Sequence, residues 1–357
     1  MNRSQNLPGS LLPEHRALQH DRAPRPLPLF LDLVRAAAET DPGIARGALD
    51  GLAAYRDAKR PVSLPARPEI KRIGSASLRD HGDSGPPVVL VPSLINPPSI
   101  LDLDPEVSLT GQLRSLGRRV LLVDWGSAAG RLELSVGGHV EQLLVPLLQS
   151  LGEPAALVGY CLGGTMAIAA ANLVPVERVI TLAAPWRFDA YSVESRDSVQ
   201  SIWRNAQPAA TALGVLPMEV LQAAFWSLDP QRTVAKFARF GETDPAGAAA
   251  RRFVQLEDWA NDGEPVPLPA ARELIEDFFG RDLPGSGSWT IGGRAIGDRL
   301  AVPMVHFTAA NDRIVPAATA PAGRHIAIPA GHVGMIVGSA RAHLHAALAE
   351  ALAPACR

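Results

Sequence analysis

The segment from Leu157 to Thr165, LVGYCLGGT, constrains the fold of this chain more than any other. It predicts a short β-strand, a tight turn centred on Cys161, and a helix of small residues. The positions two before and two after the centre of such a turn accept only small side chains, and Gly159 and Gly163 occupy them. We therefore expect Cys161 at the carboxyl edge of a sheet.

This layout is that of a nucleophile elbow, the G-x-S-x-G turn, with Cys161 in the place that serine usually takes. The turn strains its own backbone and presents the nucleophile above the sheet. A cysteine in this position predicts nucleophilic catalysis, which requires a base to remove the thiol proton and a group to orient that base.

The composition excludes several classes of protein. The 357 residues are 47% hydrophobic, enough for a large core, and a net charge of −2 predicts no general attraction to nucleic acid or anionic membrane. No apolar run approaches the roughly 18 residues of a membrane-spanning helix, and residues 1–20 lack the apolar core of a secretion signal. The two cysteines, Cys161 and Cys356, are not expected to form a disulfide. We expect a cytoplasmic protein.

Apolar strands that alternate with helices predict an α/β fold with a mostly parallel, doubly wound sheet. Besides the strand before Cys161, the predicted strands are 88–91, 119–125, 179–183, 304–307 and 325–328, and the predicted core helices are 109–116, 140–148 and 341–352.

The pattern divides the chain into five segments. These are a disordered arm (1–28), an N-terminal helical segment (29–85), the first part of the α/β core (86–186), a helical insertion (187–297) and the second part of the core (298–357). Because the insertion follows the strand after the nucleophile helix, we expect it to form a cap over the site.

The base and the acid are predicted from chain order, which in enzymes with this elbow is nucleophile, acid, histidine. His332 lies in the loop PAGHVG after the last predicted strand and is the predicted base. Asp312 lies in the loop after the preceding strand and is the predicted acid. Asp298 is a weaker alternative because it precedes that strand.

Four other histidines follow the elbow. His306 and His325 lie within predicted strands and are expected in the core or on a sheet face, whereas His343 and His345 lie on the final helix and are expected to be solvated. No His/Cys cluster has the spacing of a metal site, and neither a metal nor a cofactor is predicted.

Two backbone amides are the predicted oxyanion donors. The amide that follows the nucleophile, that of Leu162, would point into the site. The second donor is expected in the loop PSLINPP after the first core strand, where we predict the amide of Leu94, with Ser93 as the alternative.

Several of these segments resemble the polyhydroxyalkanoate synthases. GYCLGGT is similar to their G-x-C-x-G-G box, and NDRIVP and AGHVG resemble their acid and histidine loops. The stretch VLVPSLINPPSILDLDPEVSLTGQLRSLGRRVLLVDWG resembles their segment of paired strands, and the likeness covers about residues 86–190 and 300–340. The resemblance implies an α/β-hydrolase fold in which Cys161 carries the acyl group, His332 is the base and Asp312 is its partner.

Two features depart from the synthase pattern. Arg313 follows the acid where the family usually has histidine, and the interval from Asp312 to His332 is 332 − 312 = 20 residues, shorter than expected of the family. Dienelactone hydrolases have a very similar box, but their acid follows the cysteine more closely and they lack the large insertion.

The resemblance implies an acyltransferase that passes (R)-3-hydroxyacyl groups from CoA through Cys161 to a growing polyester. Its implied partners are acyl-CoA, the polyester product, and either a second copy of the chain or a second synthase subunit, and storage granules are an implied location. A hydrolase on the same scaffold (a thioesterase, esterase or intracellular polyester depolymerase) is the alternative. A non-enzymatic, granule-associated protein is the third hypothesis.

Overall fold

The computed structural model describes residues 22–60, 67–82 and 84–353. Most of the predicted disordered arm and the second cysteine, Cys356, lie outside these residues. The strands are β1 (Glu69–Ile73), β2 (Ala76–Asp80), β3 (Pro87–Val91), β4 (Arg119–Asp124), β5 (Ala156–Tyr160), β6 (Arg178–Leu182), β7 (Val215–Leu216), β8 (Val266–Pro267), β9 (Thr290–Ile291), β10 (Arg294–Ala295), β11 (Met304–Ala309) and β12 (Arg324–Ile328).

The α-helices are α1 (Leu27–Ala38), α2 (Pro42–Asp57), α3 (Leu109–Ser115), α4 (Val136–His139), α5 (Val145–Gln149), α6 (Leu162–Leu173), α7 (Val193–Leu213), α8 (Met218–Ser227), α9 (Pro230–Gly241), α10 (Ala248–Asn261), α11 (Leu268–Arg272), α12 (Gly334–Val337) and α13 (Arg341–Leu352). Short 3₁₀ and π segments complete several of them, and the π segment Val140–Leu144 joins α4 to α5. None of the helices in the described ranges combines the length and the apolar character that crossing a membrane demands.

Within the described residues, eight strands form one sheet in the order β1-β2-β4-β3-β5-β6-β11-β12. The pairs from β4 to β12 are parallel, and β1 and β2 add an antiparallel edge. Val91 at the end of β3 pairs with Gly159, and Gly159 pairs with Thr181 of β6. The elbow strand therefore lies in the middle of the parallel part, flanked by β3 and β6.

Both faces of the sheet are covered, which explains why its strands are apolar throughout. Val89 and Leu157 belong to one buried cluster, while their neighbours Val88 and Val158 belong to another. Because successive side chains of a strand point to opposite faces, both clusters need apolar residues from every central strand. The predicted α/β fold with a mostly parallel, doubly wound sheet is confirmed.

The sheet begins earlier than the sequence predicts. Residues 29–85 are predicted to be a helical segment, and α1 and α2 account for its first half. Its second half contains β1 and β2, and β2 pairs with β4 from Ser77 to Asp80. The strand β1 is almost fully exposed and three of its five residues are charged, so it lacks the apolar run from which the core strands are predicted.

The insertion between β6 and β11 is mostly helical, as predicted, but it does not form a single compact piece. Residues 231–254 group with the described N-terminal residues 22–60 in one unit, and the remaining described residues form the other. Aromatic packing holds the first unit together: the ring of Phe237 lies 4.7 Å from that of Phe30 and 5.9 Å from that of Tyr55. A β-carbon on Gly51 would lie 1.9 Å from the Phe237 carbonyl oxygen, so α2 and α9 approach closely there.

Candidate active site

Cys161 lies at the turn between β5 and α6, as the sequence predicts. Its φ of 55° and ψ of −131° are a conformation that residues with a side chain rarely adopt, so the backbone is strained at this residue. Two hydrogen bonds hold the turn: the Cys161 amide donates to the carbonyl of Leu182 (2.9 Å), and the Gly164 amide donates to the carbonyl of Cys161 (2.8 Å). Cys161 is partly exposed.

The glycines on either side of the turn are required by close backbone approach. A β-carbon on Gly159 would lie 2.4 Å from the α-carbon of Gly164, inside the turn itself. A β-carbon on Gly163 would lie 2.1 Å from the carbonyl oxygen of Val91, at the end of β3. Because both distances are far below van der Waals contact, neither position can carry a larger residue without displacing the turn.

His332 and Asp312 meet beside this turn. Asp312 follows β11 and His332 follows β12, and the His332 Nδ1 donates to Asp312 Oδ2 at 2.6 Å. The amides of Ile314 and Val315 donate to the other carboxylate oxygen at 2.8 and 2.9 Å. The Asp312 side chain is fully buried, and that of His332 is 9% exposed. The carboxylate is thus held by hydrogen bonds on both oxygens.

The structure brings the three predicted residues together, since the His332 ring lies close enough to the Cys161 sulfur for their charges to interact. Burial by itself lowers the pKa of His332. The negative charge of the Cys161 thiolate and the hydrogen bond and charge of Asp312 outweigh burial and raise the pKa from 6.5 to about 10. The raised pKa favours the protonated, imidazolium form of His332.

Two buried tyrosines that sequence reasoning did not single out contact this site. The ring of Tyr160 lies 5.1 Å from the His332 ring, with 31° between their planes, and its hydroxyl donates to the His332 carbonyl at 3.3 Å. The Tyr191 hydroxyl donates to the carbonyl of Ile314 at 3.1 Å. Burial and the charges of Cys161 and Asp312 raise the pKa of both phenols well above the usual value, so both remain neutral donors. The sequence shows that Tyr160 adjoins Cys161, but it gives no signal for the carbonyl that either hydroxyl reaches.

The two amides that we predict as oxyanion donors lie on well-held backbone. Leu162 is the first residue of α6, where an amide has no acceptor one turn earlier in the helix. Leu94 lies in the loop 92–97 after β3, and its side chain is buried. The hydroxyl of Ser93, the alternative, accepts the amide of Ile95 at 3.3 Å.

Three carbonyls anchor the loop 92–97. The indole of Trp125 donates to the Pro92 carbonyl at 3.1 Å. The insertion supplies the other two donors. The amide of Glu264 donates to the Ile95 carbonyl at 3.1 Å, and the indole of Trp259 donates to the Pro97 carbonyl at 2.9 Å. The insertion therefore orients the loop that contains Leu94.

The alternative acid and base have other partners. His306 is fully buried; its Nδ1 accepts the Thr181 hydroxyl and its Nε2 donates to the Ala322 carbonyl. Burial lowers its pKa to about 4, so it is a neutral core residue, as predicted. Asp298, the weaker candidate for the acid, accepts the amide of Ala322 at 2.6 Å. His325 donates to the Pro321 carbonyl at 2.6 Å. On α13, His343 is exposed as expected, but His345 is partly buried.

Arg313, which departs from the synthase pattern, forms an ion pair with the insertion. Its guanidinium donates to the carboxylate of Asp229, just after α8, at 2.6 Å. The Arg313 side chain is 64% exposed, so water screens the pair and its contribution to stability is small.

The comparisons with known proteins agree with this picture. The chain is 28% identical to the poly(3-hydroxyalkanoate) polymerase subunit PhaC of Haloferax mediterranei over 64% of this chain and 49% of that protein. It is 26% identical to the protein of the same description from Haloarcula marismortui, over 71% of this chain and 57% of that protein. For the protein of this description from Allochromatium vinosum, the identity is 25% over 70% of this chain and 76% of that protein. These relatives confirm the resemblance to polyhydroxyalkanoate synthases that the motifs indicate.

The chain spans about half the length of the first two of these relatives, 49% and 57%. No family model matches it. Among solved structures, BpoC from Mycobacterium tuberculosis H37Rv superimposes with a TM-score of 0.50 at 15% identity, over 80% of this chain and all of that one. At this identity the likeness shows the fold alone, and the predicted α/β-hydrolase fold is confirmed.

Proposed function

We propose that this chain is an acyltransferase that moves (R)-3-hydroxyacyl groups from CoA to a growing polyester through a thioester on Cys161. The observation that supports it most is the meeting of Cys161 with the hydrogen-bonded pair of the His332 ring and the Asp312 carboxylate at the carboxyl edge of the sheet. The similarity to PhaC polymerase subunits supports the acyl substrate and the polyester product.

In the first step the Cys161 thiolate attacks the carbonyl carbon of the acyl-CoA. The C–S bond to CoA breaks, and the CoA thiolate leaves with a proton from the His332 imidazolium. The amides of Leu162 and Leu94 would stabilise the negative oxygen of the tetrahedral intermediate.

In the second step the hydroxyl of another 3-hydroxyacyl group loses its proton to His332 and attacks the Cys161 thioester. An ester bond forms, the C–S bond to Cys161 breaks, and the thiolate is regenerated. Cysteine suits these two steps because one thioester replaces another at little free-energy cost, so the acyl group stays activated for transfer.

The description of the relatives as polymerase subunits supports a partner subunit or a second copy of the chain, and a polyester product supports a location at storage granules. Both belong to the proposal.

The test incubates the purified chain with 3-hydroxybutyryl-CoA and measures CoA release, insoluble polymer, and the mass of the peptide that contains Cys161. Polymer together with an acylated Cys161 peptide is the expected result. Free 3-hydroxybutyrate without polymer would instead identify a hydrolase, and intact substrate with an unmodified Cys161 would rule out both enzymatic functions for the chain on its own.

Cys161→Ala is expected to reduce CoA release by a factor of about 10⁴ or more, because the acyl acceptor is lost. Cys356→Ser, which replaces the other cysteine of the chain, is the matched control and should release CoA at the unaltered rate. Equal rates in the two variants would refute the assignment of the nucleophile.

A further inference from the structure

The acid loop, residues 311–315, is attached to the helical insertion through a buried hydroxyl. Tyr191 follows the 3₁₀ segment Phe188–Ala190 at the start of the insertion, and its hydroxyl donates to the Ile314 carbonyl at 3.1 Å. The amide of the same residue, Ile314, donates to Asp312 Oδ1 at 2.8 Å. The Tyr191 hydroxyl therefore fixes the backbone of Ile314, whose amide fixes the Asp312 carboxylate.

The ring of Tyr191 has rigid support. It is 7% exposed and packs 5.9 Å from the ring of Phe188 and 4.9 Å from that of Phe279. The Phe188 amide is itself fixed by the carboxylate of Asp282 at 2.7 Å. Since the ring has little freedom to move, its hydroxyl can fix the position of Ile314.

The hydroxyl remains a donor over a wide pH range. Burial raises the pKa of Tyr191, and the negative charges of Cys161 and Asp312 raise it further, well above the usual value. Cys161, Tyr160 and Tyr191 are titratable groups near His332 and Asp312, and both phenols are neutral. Loss of the Tyr191 hydroxyl would therefore change geometry without removing a charge.

We propose that Tyr191 is a positioning residue whose hydroxyl, acting through Ile314, keeps the Asp312 carboxylate on the His332 ring. The inference rests on the proposed function for the roles of Cys161, His332 and Asp312, and deepens it by assigning a residue of the insertion to the alignment of the site. Of the two contacts described between the insertion and the acid loop, the exposed Arg313–Asp229 ion pair is the weaker.

The test measures how fast iodoacetamide alkylates Cys161 as a function of pH, by mass spectrometry, in a Cys356→Ser background. This rate reports the thiolate and needs no knowledge of the substrate. The Asp312–His332 hydrogen bond stabilises the imidazolium that accompanies the thiolate. Tyr191→Phe, which keeps the ring, should therefore move the rise in alkylation to higher pH by about 0.5 unit.

Tyr55→Phe, which alters a buried phenol in the other unit, is the matched control and should leave the alkylation profile in place. A purely structural role of Tyr191 would lower the melting temperature without displacing that profile, and this outcome overturns the proposal. If Tyr191→Phe does not fold, Phe279→Leu replaces it, because it loosens the support of the Tyr191 ring; the expected direction and the overturning result are the same.

The alkylation profile and the CoA-release assay give separate answers. A displaced profile in a chain that does not act on 3-hydroxybutyryl-CoA would support the positioning role and reject the proposed function. Polymer formation with an undisplaced alkylation profile would support the proposed function and reject the positioning role of Tyr191.

Discussion

At the scale of single residues, the site depends on how closely backbone segments approach around Cys161. The backbone of Cys161 adopts a strained φ because hydrogen bonds to Leu182 and from Gly164 hold the turn from both sides. Strain of this kind persists only where the surrounding structure enforces it. The two glycines of the elbow make this possible, since each leaves room for a main-chain atom at less than 2.5 Å from where a β-carbon would be.

Gly163→Ala is expected to destabilise the fold strongly, because the new methyl group would overlap the carbonyl oxygen of Val91 at 2.1 Å. Either β3 or α6 must shift, and overpacking of this kind costs about 3 kcal/mol. Urea denaturation of the variant should show this loss. Gly297→Ala is the control, since no atom lies within 4 Å of its added β-carbon; a comparable loss in both variants would contradict the explanation.

The residues of the predicted site could be read from the sequence because each follows a strand, and the carboxyl ends of parallel strands meet at one edge of the sheet. The roles of Tyr160 and Tyr191 could not be read from the sequence. Their hydroxyls bond to the main-chain carbonyls of His332 and Ile314, and any residue type offers such an acceptor. Only folding shows which carbonyl each phenol reaches.

At the scale of elements, the loops of the site are fixed by side chains from neighbouring segments. The 3₁₀ segment Pro98–Asp102, which follows the loop of Leu94, ends in a carboxylate that contacts His81 Nδ1 at 3.1 Å, just after β2. The Ser108 hydroxyl, at the start of α3, donates to the other oxygen of Asp102. Burial raises the pKa of Asp102, but the nearby His81 ring and the hydrogen bond of Ser108 outweigh it and lower the pKa to about 2.

Asp102→Asn should therefore reduce the free energy of unfolding at pH 7 by about 2 kcal/mol, because a hydrogen-bonded carboxylate is lost. The folded-state pKa is depressed, so the contribution is present above pH 3.8 and lost as the pH falls through about 2. Urea titrations of the unaltered protein and the variant should differ at pH 7 and converge toward pH 2. Asp104→Asn is the control, since that carboxylate only caps the nearby amide of Glu106; a loss as large as that of Asp102→Asn would refute the argument.

The elements that the sequence predicts well are those with one unambiguous pattern. Continuous apolar strands such as β3 and β6 and the final helix α13 appear where they are expected. The strands β1 and β2 do not: β1 is an exposed, charged edge that needs no apolar run, and β2 is mostly buried but carries polar residues at Ser77, Arg79 and Asp80. The helix predicted at 140–148 is interrupted by a π segment, which no spacing rule anticipates.

At the scale of the whole molecule, all the groups of the proposed site lie in one unit, made of the described residues from 67 to 230 and from 255 to 353. The sequence predicts a single insertion over 187–297, yet residues 231–254 belong to the other unit. Their aromatic residues pack on one another, as the stacked rings of Phe240 and Phe253 show at 4.1 Å. Helical spacing identifies which face of a helix is apolar, but it does not show which segment covers that face.

The interaction of the His332 imidazolium with Cys161 and Asp312 should make the free energy of unfolding of the whole protein depend on pH. The pKa of His332 is raised in the folded state from 6.5 to about 10, so the stability that it contributes is present below pH 6.5 and is lost as the pH rises through about 10. Between pH 7 and pH 10, the free energy of unfolding should fall more steeply for the unaltered protein than for His332→Gln, as measured by urea denaturation. The contribution of the buried phenols Tyr160 and Tyr191 to the free energy of unfolding also declines near the upper end of this range. This decline occurs in both proteins and leaves the difference between them intact. Parallel curves for the two proteins would mean that Cys161 and Asp312 do not hold the imidazolium in the folded state.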